Sequence, residues 1–139
     1  MGKRRKSREI ALQVLYQLDV TKQDPPKVLA QFQQQFLPIE EKDEFLERLV
    51  LGVLEHSLEI DRLIKRFSEN WSLDRMSIID RNILRMATFE LLYCQDIPPK
   101  VTLNEAIDLG KDYGTEESGS FINGILDHIQ KEIGKINSQ

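Results

Sequence analysis

The chain has one cysteine, Cys94, in 139 residues. That excludes an intrachain disulfide framework and fits a reducing, cytoplasmic home. It has two histidines, His56 and His128. Neither has a second histidine or a cysteine at ligand spacing, so a zinc site is not expected. No glycine-rich phosphate loop is present: Gly119 and Gly124 lie too far apart, and no Lys-Ser/Thr pair follows them. No apolar run approaches the ~18 residues of a membrane span. The start of the chain is basic, but Ser7-Arg8-Glu9 and Gln13 interrupt any signal-peptide core. Period-two alternation and hairpin signals are missing, and no repeat of 20–50 residues is visible. These absences leave a helical chain of one domain, large enough to bury its own core.

What is present is a sharp division of charge. Net charge is -4, which argues against a nucleic-acid partner until its distribution is considered. Lys3, Arg4, Arg5, Lys6 and Arg8 place five cations in the first eight residues without an acid among them. The remaining 131 residues carry 14 basic and 23 acidic side chains, a balance of -9. Such asymmetry points to a local polyanion contact on an acidic body. A solvated terminus that only aids solubility has the same charge signature.

Apolar spacing is helical almost throughout. Ile10, Ala11, Val14, Leu15 and Leu18 make the stripe of a first helix. Asp24 before Pro25 marks the start of a second, over Pro25 to Phe36, and Pro38 breaks the chain again. Phe45 to Leu54 and Ile60 to Phe67 supply a third and a fourth, and Asn70-Trp71-Ser72 reads as a turn. From Ser77 to Cys94 apolar residues cover most of the circumference, the mark of a buried central helix. Cys94 ends that stretch as core filling rather than a nucleophile. Thr102-Leu103-Asn104-Glu105 has the form of a capping box, and Gly114 is a candidate C-cap. Ile122, Ile125, Leu126, Ile129 and Ile133 stripe a last helix. The expected fold is all-α: a compact bundle of about seven helices over residues 1–139, in two packed subdomains of about 1–70 and 71–139. Asp61-Arg62, Asp74-Arg75 and Asp80-Arg81 recur as acid–base neighbours, but adjacent helical residues do not face each other, so each is free to pair elsewhere.

Two features lack an evident structural role. On the first helix, Tyr16 falls nearly opposite the apolar stripe, with Arg5, Leu12 and Glu9 near it and Arg8 toward one edge. This predicts an exposed Tyr-Leu-Arg cluster of the kind binding surfaces favour. A central helix packed on both sides would bury it instead. Phe121 opens the last helix after a polar run, where an aromatic beside free backbone amides suits stacking on an unpaired base. A hydrophobic staple is the competing role.

Four segments carry a family resemblance. Arg5-Lys6-Ser7-Arg8-Glu9-Ile10-Ala11-Leu12-Gln13-Val14-Leu15-Tyr16 resembles the opening helix of the NusB family of bacterial transcription antitermination factors. Asp80-Arg81-Asn82-Ile83-Leu84-Arg85-Met86-Ala87-Thr88-Phe89-Glu90-Leu91 is similar to that family's central helix. The run from Pro99 to Gly114 resembles the next helix, and Ser120-Phe121-Ile122-Asn123-Gly124-Ile125-Leu126-Asp127 its "FVNGVLD" segment. All four stand in the family's order, while residues 20–75 match only in pattern.

The resemblance implies no catalytic activity and no cofactor. It implies binding to the boxA element of ribosomal-RNA leader transcripts with NusE, a small-subunit ribosomal protein. It also implies a place, through other Nus factors, in the RNA polymerase antitermination complex, in support of rRNA transcription and ribosome biogenesis. The family's RNA contacts map onto Lys3, Arg4, Arg5, Lys6 and Arg8, and onto Glu117, Ser118 and Phe121. Its NusE-facing surface maps onto Tyr16, Asp74 and Asp80. The basic arm is short, and Gly110 stands where the family often has alanine, a change that loosens a helix by ~1 kcal/mol. Two other readings compete. One is a helical protein-interaction module or homodimer that touches RNA only incidentally. The other is a piece of an rRNA methyltransferase, against which the lack of a cofactor-binding motif counts.

Overall fold

The fold was taken from a computed structural model, which describes residues 2–36, 42–68 and 71–137. The break expected at Pro38 and the start of the turn at Asn70 lie outside those residues. Among them the fold is all-α. The helices are α1 (Lys3–Thr21), α2 (Pro25–Phe36), α3 (Glu44–Glu55), α4 (Ser57–Phe67), α5 (Ile78–Tyr93), α6 (Pro99–Tyr113) and α7 (Ser118–Asn137), with a short 3₁₀ turn at Leu73–Arg75. No described helix is long and apolar enough to cross a membrane.

The centre of the molecule is α5, which packs against α1, α3, α4, α6 and α7. Its sequence explains this, since Ile83, Leu84, Met86, Ala87 and Phe89 are all buried and spread around most of its circumference. Ser77 caps it, its hydroxyl accepting from the Asp80 amide at 3.0 Å. Where α3 crosses α5, Gly52 lies against the Phe89 ring, and a methyl group there would overlap it. Gly110 plays the same part between α6 and α7: a Cβ would stand 2.8 Å from Ile122 Cδ1. The helix propensity lost at Gly110 is thus exchanged for a close helix approach.

Helix α1 runs antiparallel to α5 and is fastened at both ends. Arg8 meets Glu90 near one end, and Asp19 meets Arg81 and Asn82 near the other. Two of the neighbouring acids and bases of the sequence, Arg81 and Asp61, pair elsewhere. Arg81 takes Asp19 at 2.7 Å, and Asp61 takes Arg85 at 2.9 Å. Burial pushes the Asp19 carboxyl up, but hydrogen bonds from Arg81 and Asn82 and the charges of Arg81 and Arg85 outweigh it and hold it down to about 2.

The capping-box reading of Thr102 to Glu105 is corrected by the structure. Helix α6 begins three residues earlier, at Pro99, where a proline without an N–H suits the first turn. Thr102 is buried, and its hydroxyl donates to Glu90 Oε1 at 3.1 Å. Glu105 is turned to Arg5. Gly114 does end the helix, its amide donating to the Gly110 carbonyl.

Candidate nucleic-acid interface

The five N-terminal cations do not form one surface. Lys3, Arg4 and Lys6 are exposed. Arg4 lies over the Phe45 ring at 4.8 Å and reaches Asp96 at 3.2 Å, and the Lys6 ammonium stands 5.8 Å from the Phe36 ring. Arg5 is half-buried and bridges to α6, with Glu105 at 2.8 Å and Asp108 at 2.5 Å. Those two carboxylates hold its guanidinium still more firmly protonated than usual.

Arg8 is 3% exposed. Its fork meets the Glu90 carboxylate at 2.9 and 2.7 Å, and Glu90 also accepts from Thr102. Burial opposes the charge on Arg8, but the two-pronged bond to Glu90 outweighs it and keeps the side chain cationic. The expected exposed cluster around Tyr16 is therefore corrected: Arg8 is inside, and so is Leu12 at 2% exposure. The cause is that α1 packs against α2 and α3 as well as α5, so its apolar and paired positions cover most of the circumference. Ser7 follows the same logic, its hydroxyl donating to Asp43, the N-cap of α3.

Tyr16 itself is 42% exposed. It borders a groove of about 430 Å³ whose other walls include Leu12, Val20, Phe32, Ile79 and Tyr113. The Tyr113 hydroxyl donates to Glu9 at 2.6 Å, which pushes its pKa up to about 12. Asp74 and Asp80 do not line this groove. Asp74 is exposed in the 3₁₀ turn.

Asp80 lines a second cleft, of about 250 Å³, together with Glu117, Ser118 and Phe121. Trp71, Arg75, Met76, Ser77 and Thr115 complete its wall. Trp71 and Phe121 meet edge to face, with ring centroids 6.4 Å apart and planes at 80°. Helix α7 starts at Ser118, so Phe121 sits a full turn inside it, and its amide is already bonded to the Glu117 carbonyl. The free amide expected beside the ring is thus absent at Phe121 itself. Ser118 is buried, and its hydroxyl accepts from the Thr115 amide, which fixes the loop into α7.

The groove and the cleft adjoin. Ile79 walls one and Asp80 the other, and Tyr113 and Thr115 divide in the same way. The exposed N-terminal cations are elsewhere: Arg4 sits beside Asp96, just past the C-terminal end of α5, while Asp80 is at its N-terminal end. From Asp80 to Tyr93 the helix spans about 20 Å at 1.5 Å per residue.

Sequence reasoning missed four participants. Arg48 of α3 also reaches Asp96, at 3.4 Å, and donates to the Tyr93 carbonyl at 3.1 Å. Trp71 and Arg75 enter the cleft, and Tyr113 the groove. Only Trp71 carried a signal, as a lone tryptophan beside a turn. Other residues weighed for chemistry are structural. Cys94 is buried, and burial pushes its thiol up to about 11. His56 stacks on Tyr93 at 4.1 Å, and His128 on Phe67 at 5.9 Å.

Together these features define an all-helical protein with a cationic end, an aromatic cleft lined with acids, and an apolar groove beside that cleft. The NusB family model matches residues 5–131, and the chain belongs to that family. The transcription antitermination protein NusB of Desulfatibacillum aliphaticivorans is 50% identical over 135 residues, which cover 97% of this chain and 94% of that protein. The structure of T. maritima NusB aligns with a TM-score of 0.84 at 42% identity, over 94% of this chain and 92% of that one. A structure of the antitermination factors NusB and NusE in complex with dsRNA aligns with a TM-score of 0.82 at 30% identity, over 93% and 96%.

Proposed function

We propose that this chain is a transcription antitermination factor that binds boxA RNA of ribosomal-RNA leader transcripts together with NusE. In this reading it joins the RNA polymerase antitermination complex through other Nus factors and supports rRNA transcription and ribosome biogenesis. The observation that carries the reading is the seam between the aromatic cleft and the apolar groove. It lets one RNA strand and one protein partner lie side by side. A relative of the same fold was solved with NusE and dsRNA, which supports the pairing.

The residues divide the work. Lys3, Arg4 and Lys6 hold phosphates, which fixes the RNA's register without reading its sequence. Arg5 and Arg8 act from behind, holding α1 against α6 and α5. Phe121 stacks on a base beside Glu117 and Ser118. Tyr16 anchors NusE in the groove, and Asp74 and Asp80 add acid at its margin to meet a basic partner.

The test is a titration of boxA RNA and a scrambled RNA with the protein alone and with NusE. The expected result is a preference for boxA that grows when NusE is added. Equal binding of both RNAs in both conditions would overturn the reading. A homodimer would use the same apolar groove, so sedimentation with and without RNA separates it: a dimer that persists on RNA while excluding NusE would favour that alternative.

A further inference from the structure

Arg48 of α3 has no task in the RNA-binding role proposed above, yet it shares an acid with one of the N-terminal cations. Arg4 meets Asp96 Oδ2 at 3.2 Å, and Arg48 meets Asp96 Oδ1 at 3.4 Å. The two arginines come from different helices, and all three side chains are about half exposed. Each arginine is also held by something other than Asp96. The Arg4 guanidinium lies over the Phe45 ring at 4.8 Å, and Arg48 donates to the Tyr93 carbonyl at 3.1 Å. Two guanidinium groups oriented toward one spot form a place for an anion with paired oxygens.

The carboxylate that fills this spot fits it loosely. Its contacts exceed the roughly 2.7–2.9 Å of a tight charge-assisted bond. Asp96 lies in the turn between α5 and α6, so its side chain can swing into solvent without disturbing a helix. Its own backbone amide also donates to the carboxylate and would be left as a third donor. A phosphate diester offers the same pair of charged oxygens, set more widely around phosphorus. It can give one oxygen to each arginine, as Asp96 does. The surroundings favour phosphate over the carboxylate of a protein partner. Lys3 and Lys6 stand exposed on the same first turns of α1 as Arg4, and a row of cations matches a polyanion.

We propose that Arg4 and Arg48 together clamp one RNA backbone phosphate, and that Asp96 is the internal anion which this phosphate displaces. The inference rests on the RNA-binding reading above. It adds Arg48 to that surface and makes Asp96 a built-in competitor.

The test is the sign of two substitutions. BoxA RNA and a scrambled RNA of the same length are titrated with the wild type, Arg48→Gln, Asp96→Asn and the double variant. Arg48→Gln should weaken both RNAs by about threefold to fivefold, and Asp96→Asn should strengthen both by no more than about fivefold, as exposed charges do. Arg48→Gln should cost more in the Asp96→Asn background than alone, because only there does RNA gain Arg48 without displacing an acid. If the three side chains merely brace the turn, the two substitutions act in the same direction, and that result would overturn the proposal. So would an Arg48→Gln effect confined to boxA, since phosphate contacts carry no sequence information, or no effect on either RNA. Lys3→Ala with Lys6→Ala separates the two levels. If that variant binds RNA more weakly while Arg48→Gln does not, only the clamp fails. If neither is weakened, the phosphate anchoring of the wider reading fails too.

Discussion

The two ends of α5 carry opposite chemistry. Past its C-terminal end, Arg4 and Arg48 converge on Asp96, with Lys3 and Lys6 exposed on the neighbouring first turns of α1. At its N-terminal end, Trp71 and Phe121 share a cleft with Asp80 and Glu117. The first end suits phosphate and is indifferent to sequence. The second repels phosphate and suits a stacked base. In the proposed reading, a chain of net negative charge holds RNA by separating anchoring from reading, with a helix of about 20 Å between the two.

That separation depends on α1 and α5 staying locked, so the largest expected effect comes from breaking the lock. Arg8→Ala leaves Glu90 buried without its cation and should cost about 3–5 kcal/mol of stability, as uncompensated buried charges do. Urea denaturation would measure it. A loss below about 1 kcal/mol would mean that the pair is not what fixes the two ends.

The second lock has a pH signature. Asp19 is held down to about 2, below its ordinary 3.8, so its contribution is complete above about pH 4. It should be lost as pH falls through 3.8 toward 2, by up to about 2 kcal/mol. Asp19→Asn should flatten this part of the acid-unfolding curve, and an unchanged curve would remove Asp19 from the account.

The smallest effect sharpens the cationic end. Asp96 sits between Arg4 and Arg48 where a phosphate would sit, and its own amide, Arg4 and Arg48 hold it below the usual carboxylate range. Asp96→Asn frees both arginines. RNA affinity should rise by no more than about fivefold, because solvent screens exposed ion pairs and leaves them weak. The gain should appear for boxA and scrambled RNA alike, and a gain confined to boxA would contradict the division between the ends.

The helices were legible in the sequence because their signals are local. Asp24-Pro25 started α2 where it begins, Ser77 capped α5, and the apolar circumference of α5 placed it at the centre. The failures share one cause, a partner distant in the chain. A helical wheel placed Arg8 and Leu12 outside, because it shows one helix and not how many neighbours surround it. Thr102 and Glu105 had the spacing of a cap, yet their partners are Glu90 and Arg5. The cleft joins Trp71 to Phe121 across fifty residues of chain, and no spacing rule links them. Tyr16 was legible as exposed, but Val20 and Tyr113 beside it were not.

The most direct test of the division between the ends is the salt dependence of boxA binding in two variants. The wild-type log–log slope should be roughly -2 if Lys3, Arg4 and Lys6 each neutralise one phosphate on single-stranded RNA. Lys3→Ala with Lys6→Ala should make it shallower by about 1.4, at 0.7 for each contact. Phe121→Ala should weaken binding by about 1–3 kcal/mol and leave the slope unchanged. A slope that falls with Phe121→Ala, or stays at its full value in the lysine variant, would contradict the account.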